Sequence, residues 1–104
     1  MATTKPAKRL PPIHHPGQVL LNLLNEAGLT INALATPLRV PANRIGGIVR
    51  AQRGITADTA LRLARFFGTS AQMWINLQST HDLAVAEDAL GSRIEQEVLP
   101  RHAA

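Results

Sequence analysis

The chain has no cysteine. That excludes disulfides and cysteine-ligated zinc, and it suits a reducing cytoplasm. One tryptophan and two phenylalanines are its only aromatic residues. Its core must therefore be built from Leu, Ile, Val and Ala. Its apolar runs are short and interrupted, so no membrane span is expected. Basic residues but no apolar run precede the first prolines, so no secretory signal is expected either. Acids are scarce in the first half. Residues 1–53 hold seven Lys or Arg against one acid, Glu26, whereas residues 54–104 hold four bases against six acids.

The 104 residues suit one domain. At 45% hydrophobic and 17% charged, the composition is that of a folded globule rather than a disordered chain. The net charge is +4. A basic half joined to a mildly acidic half points to a polyanion partner on one side, and nucleic acid is the favoured one. A basic tail that only aids solubility is the alternative for residues 5–9.

The stretch 30–53, TINALATPLRVPANRIGGIVRAQR, organises the rest. Leu34 and Leu38 are one helical turn apart, as are Ile45 and Ile48. Arg39-Val40-Pro41 lies between the pairs. That spacing predicts two short amphipathic helices joined by a tight turn, a helix-turn-helix. Ala35 supplies the small side chain that a close helix crossing needs. Thr30 is a good N-cap for the first helix, expected over 31–38. Pro37 falls near its end and should shorten or bend it. Arg39 stands where glycine is usual, and a left-handed conformation there costs on the order of 1 kcal/mol.

Pro41 opens the second helix, expected over 42–51. Ile45 and Ile48 face inward. Ala42, Asn43, Arg44, Gly46, Gly47 and Arg50 are left outside. Adjacent glycines in a helix cost about 1 kcal/mol each. Either a partner approaches the backbone closely there, or the helix is irregular. The run lacks the Gly-Lys-Ser/Thr signature of a phosphate loop.

Around this motif the signals are local and strong. Residues 1–13 carry three prolines and three bases, and read as a flexible basic arm that either lies along DNA or has no specific role. A first helix is expected over 17–27, from Val19, Leu20, Leu23, Leu24 and Ala27, with Gly28 as its left-handed end. His14 and His15 read as residues of the turn leading into it. They are adjacent and lack a third ligand, so no metal is expected. Thr56 caps a helix over 57–67, with Asp58 and Arg65 complementing its dipole and Gly68 ending it. Ser70 caps the next, in which Trp74 reads as a core anchor. His81 and Asp82 have no nucleophile or second base with them, so no catalysis is expected. After Leu83, Val85, Leu90, Ile94, Val98 and Leu99 suggest a helix, a break at Gly91-Ser92, and a further short helix. Their apolar side chains need a cover, which a subunit interface or a docking surface would give.

Several runs together resemble a known family. They are His15-Pro16-Gly17, Gly28-Leu29-Thr30, Asn43-Arg44-Ile45, Arg53 through Ser70 (RGITADTALRLARFFGTS) and Trp74-Ile75-Asn76-Leu77-Gln78. The likeness is to HigA-type antitoxins of bacterial type II toxin–antitoxin modules, in the Xre/Cro-like helix-turn-helix group. It spans residues 14–83. It implies an all-α fold: a five-helix Xre/Cro-like helix-turn-helix domain with an extra C-terminal helical segment. The expected organisation is a basic arm at 1–13, a DNA-binding domain at 14–83, and a C-terminal helical segment at 84–104 that dimerises.

The resemblance also implies a homodimer that binds a palindromic double-stranded operator and represses its own operon. Its other implied partner is a HigB-like toxin, a RelE-like ribosome-dependent mRNA interferase. Such a protein is cytoplasmic and nucleoid-associated, is no enzyme and needs no cofactor. Ala42, Asn43, Arg44 and Gly47 map to the base-reading face. Thr30, Asn32, Arg50 and Arg53 map to phosphate contacts. Arg pairs well with guanine and Asn with adenine. The chain departs from the family pattern at Ile31, Pro37, Arg39, Gly46 and Gly47. A stand-alone helix-turn-helix regulator without a toxin is the alternative function, and a pure protein-interaction module is a third.

Overall fold

The computed structural model describes residues 15–101. The basic arm at 1–13 and His14 lie outside the described residues. Five helices follow in order: α1 (Pro16–Ala27), α2 (Ile31–Leu38), α3 (Ala42–Val49), α4 (Ala57–Phe67) and α5 (Ala71–Glu97). The fold is all-α, as the periodicity predicts.

Each helix start has a physical cause. Thr30 Oγ1 accepts from Ala33 N at 3.0 Å, and Ser70 Oγ from Met73 N at 3.0 Å. Thr56 Oγ1 accepts from Thr59 N at 3.4 Å. These side chains satisfy amide groups that a helix leaves free at its N-terminus. His15 does the same for α1, its Nδ1 accepting from Gly17 N at 2.9 Å. The histidine is a cap.

The ends of the first four helices share one device. Gly28, Arg39, Ala51 and Gly68 all sit in the left-handed region, with φ of 68°, 62°, 59° and 76°. At each of the first three, paired reverse hydrogen bonds close the helix; at Ala51 they run from Ala51 N to Ile48 O (3.0 Å) and from Gln52 N to Gly47 O (2.8 Å). Ala51 therefore ends α3 at Val49, two residues earlier than the sequence suggests. Pro37 stays inside α2, which remains helical to Leu38. It lies in the last turn, where the missing N–H removes a single backbone bond.

The core is aliphatic apart from Trp74. Leu20, Leu24, Leu34, Ala35, Leu38, Ile45, Ile48, Ile55, Ala60 and Leu63 form one buried cluster with it. Trp74 is fully buried, and its indole N–H donates to Thr69 Oγ1 at 2.9 Å. Gln78 ties the loop after α3 to α5. Its Oε1 accepts from Ile55 N at 2.7 Å, satisfying a half-buried amide.

A further expectation fails. There is no break at Gly91-Ser92: α5 is a single helix of 27 residues, about 40 Å long at 1.5 Å per residue. A lone helical glycine costs about 1 kcal/mol, which its helix-forming neighbours offset. The Arg93–Glu97 ion pair, at 3.2 Å and one turn apart, adds to them. The helix also crosses Leu83 without interruption. Its first half packs on α4 and α1, and its second half projects away from the domain. Extents of 55 × 35 × 22 Å record that projection.

Candidate nucleic-acid interface

Helix α3 starts at Pro41, whose fixed φ of −64° suits the residue before a helix. Ile45 and Ile48 are fully buried and fix which way the helix faces. Asn43 is then exposed, while Ala42 and Arg44 are half-buried beside it. Thr30 and Asn32, at the start of α2, are exposed. Thr30 uses one lone pair as a cap and keeps its hydroxyl hydrogen for a further acceptor.

The glycine pair is not outside. Gly46 and Gly47 are buried. A Cβ on Gly46 would lie 3.1 Å from the Arg50 guanidinium nitrogens, and one on Gly47 would lie 3.0 Å from Arg53 Cγ. The glycines are covered by the two arginines rather than by solvent. Gly47 thus presents no surface for reading bases; the Arg53 stem lies over it. The sequence pattern missed this because the covering side chains come from beyond the helix. Arg50 and Arg53 themselves are exposed. Arg50 Nε also donates to Gln52 Oε1 at 3.4 Å.

Arg44 is not free in this structure. Its Nη1 donates to Asp58 Oδ2 at 2.7 Å. Arg62 Nε donates to the same oxygen at 3.0 Å, and Arg62 Nη1 donates to Leu38 O at 2.9 Å. These bonds link the end of α2, the start of α3 and the start of α4. The two arginine hydrogen bonds, Arg62 first and then Arg44, hold the Asp58 carboxyl below its ordinary pKa. The acid and Arg62 were legible as a pair four residues apart. Arg44, fourteen residues away, was not. Arg44, Arg53, Thr56, Asp58 and Arg62 line one open cleft.

Away from this face, the His15 and His81 rings meet edge to face, 5.0 Å between centroids. Burial first, and the nearby His81 second, push the His15 pKa below 6.5, against a smaller opposing pull from Asp82. No group of three or more His, Cys, Asp or Glu is placed to hold a metal among the described residues. No helix among them is long and apolar enough to cross a membrane.

A helix-turn-helix family model matches residues 20–74, more than half the chain. The chain is similar to an antitoxin HigA of Pseudomonas aeruginosa, solved with the higBA promoter. That structure is 49% identical, superposes with a TM-score of 0.82, and the match covers 86% of this chain and 98% of that one. The chain belongs to the HigA-type antitoxins of the helix-turn-helix family. An addiction module antidote protein of the HigA family from Coxiella burnetii is 44% identical, with a TM-score of 0.81 over 86% of this chain and 99% of that one. Virulence-associated protein I of Dichelobacter nodosus is 54% identical over 77 residues, 73% of this chain and 71% of its own length. The two solved structures superpose on the five-helix frame described above, and their names are those of an antitoxin and an antidote protein.

Proposed function

We propose that this HigA-type chain binds the operator of its own operon as a homodimer, represses it, and neutralises a HigB-like toxin of the RelE-like mRNA interferase class. The observation that carries the DNA part is the solvent-accessible first turn of α3, with Asn43 exposed and Ala42 and Arg44 half-buried. Asn43 and Arg44 stand there, and the exposed Arg50 and Arg53 follow the far end of the helix. Ala42 adds a small apolar contact for a thymine methyl, Asn43 suits adenine and Arg44 suits guanine. Thr30, Asn32, Arg50 and Arg53 contact phosphates, which makes affinity fall with salt. The likeness to an antitoxin solved with its promoter supports the same reading.

Dimerisation belongs to the free half of α5. Leu83, Leu90 and Ile94 repeat at helical spacing along one stripe and are 61%, 40% and 49% exposed. Val98 and Leu99 extend the apolar surface beyond the helix. Two copies joined there would place their α3 helices in successive major grooves, about 34–36 Å apart, on a palindromic operator. The complex works in the cytoplasm, on the nucleoid.

The test has two arms. The first is a gel shift of the chain on its own upstream DNA. The second is co-expression with the product of the neighbouring gene, scoring growth rescue and co-purification. A shift with rescue supports the full reading. A shift without rescue or co-purification gives the stand-alone regulator, and rescue without a shift gives a pure interaction module.

A further inference from the structure

We infer that Asp58 is a specificity-determining residue, a carboxylate that positions Arg44 for base reading. The inference rests on the DNA-reading proposal above. Its geometry is a relay. Leu38 O fixes Arg62 at 2.9 Å, Arg62 fixes Asp58 at 3.0 Å, and Asp58 fixes Arg44 at 2.7 Å. The relay starts at the turn of the motif and ends on the reading helix. An arginine side chain loses much rotamer freedom when it docks on a base. Here that freedom is already restricted before DNA arrives. The bond to Asp58 uses one Nη1 hydrogen. Four N–H donors remain, enough for the paired contact that guanine accepts.

Charge supports the same role. The shared Asp58 cancels one of the two positive charges of Arg44 and Arg62, so the cluster attracts phosphates less than two free arginines would. Sequence-blind attraction then falls mainly to Arg50 and Arg53, which are exposed and form no ion pair with a carboxylate among the described residues. Asp58 is itself half-exposed in the cleft beside Arg53 and Thr56. Three arginines and this one carboxylate line the cleft, so Asp58 weakens the pull on a backbone phosphate without reversing it. Asp58 thus sharpens discrimination twice: it aims Arg44 and it weakens binding to arbitrary DNA.

Fluorescence anisotropy tests this, using the full chain, a duplex from its own upstream region and a scrambled duplex of equal length, over a series of salt concentrations. The proteins are wild type, D58N, D58E, R44A and the R44A/D58N double variant. With D58N, the preference for the upstream duplex should fall about tenfold, the loss of one aligned arginine–base contact. The scrambled duplex should be bound more tightly, with a salt slope steeper by about one. D58E keeps the charge but displaces the carboxylate. It should lose the preference with no change in slope, and it carries the test if D58N does not fold. In the R44A background, D58N should leave the preference unchanged. An undiminished preference in both Asp58 variants, or an equal loss with and without Arg44, overturns the inference alone. A wild-type chain that binds both duplexes equally overturns the DNA-reading proposal and this inference with it.

Discussion

Gly17 of α1 lies directly against the backbone carbonyl of Ile48 in α3; a Cβ on Gly17 would overlap Ile48 O. No side chain separates the two helices at this point, so the backbone of α1 sets the position of the reading helix. Adding one methyl group should therefore shift α3 or unfold the domain. G17A is expected to destabilise by about 3 kcal/mol, at the upper end of overpacking costs, measured by urea unfolding. The same change at Gly91 should have the opposite sign. Nothing lies within 4 Å of a Cβ there, so G91A is expected to stabilise α5 by about 1 kcal/mol. Equal effects would show that the close contact is not what constrains Gly17.

Ala51 holds a left-handed conformation, φ 59°, that glycine adopts without a clash. A51G removes the clash and keeps the backbone bonds that end α3. It should stabilise the chain by about 1 kcal/mol. A thermal melt at fixed protein concentration is sufficient. A drop in Tm would mean that the methyl makes a contact worth more than the strain.

Acid should weaken the domain through His15. Its folded pKa lies below its ordinary 6.5 because burial and His81 disfavour the charged form. In the window between the two values the unfolded chain holds more protons, so stability rises with pH. It is fully present above 6.5 and is lost as pH falls from there to the folded value. The chemistry agrees: a protonated Nδ1 can no longer accept from Gly17 N. H15N keeps a capping acceptor and should flatten this limb of a stability-versus-pH curve. Asp58 acts lower. Its folded pKa is below 3.8, so its contribution is present above 3.8 and is lost as pH falls through the folded value.

The stripe on α5 gives a prediction of assembly. I94E places a charge among Leu83, Leu90 and Ile94 and should convert a dimer to a monomer in sedimentation velocity, with the helix content unchanged. DNA affinity should fall with it, because one half-site remains engaged. A variant that stays dimeric would move the interface elsewhere.

Much of the fold was readable because its signals are local. Thr30, Thr56 and Ser70 begin helices through their own hydroxyls, and Gly28 and Gly68 end them through their own backbones. What was hidden depends on distant partners. Nothing near Gly17 in sequence announces Ile48, and nothing near Gly47 announces Arg53 above it. Arg44 looked like a free base-reading side chain until the chain folded Asp58 against it. Gly91-Ser92 misled in the other direction: a local breaking signal was outweighed by the helix on either side.

The claim that carries the whole account is that Arg44 on α3 reads DNA. The direct measurement is the affinity of wild type and R44A for the upstream duplex and a scrambled one at a single fixed salt concentration. R44A is expected to bind the upstream duplex at least about fivefold more weakly and to lose most of its preference, with a smaller drop in affinity for the scrambled duplex from the lost positive charge. If R44A keeps both the affinity and the preference of the wild type, the reading helix has been assigned to the wrong residues.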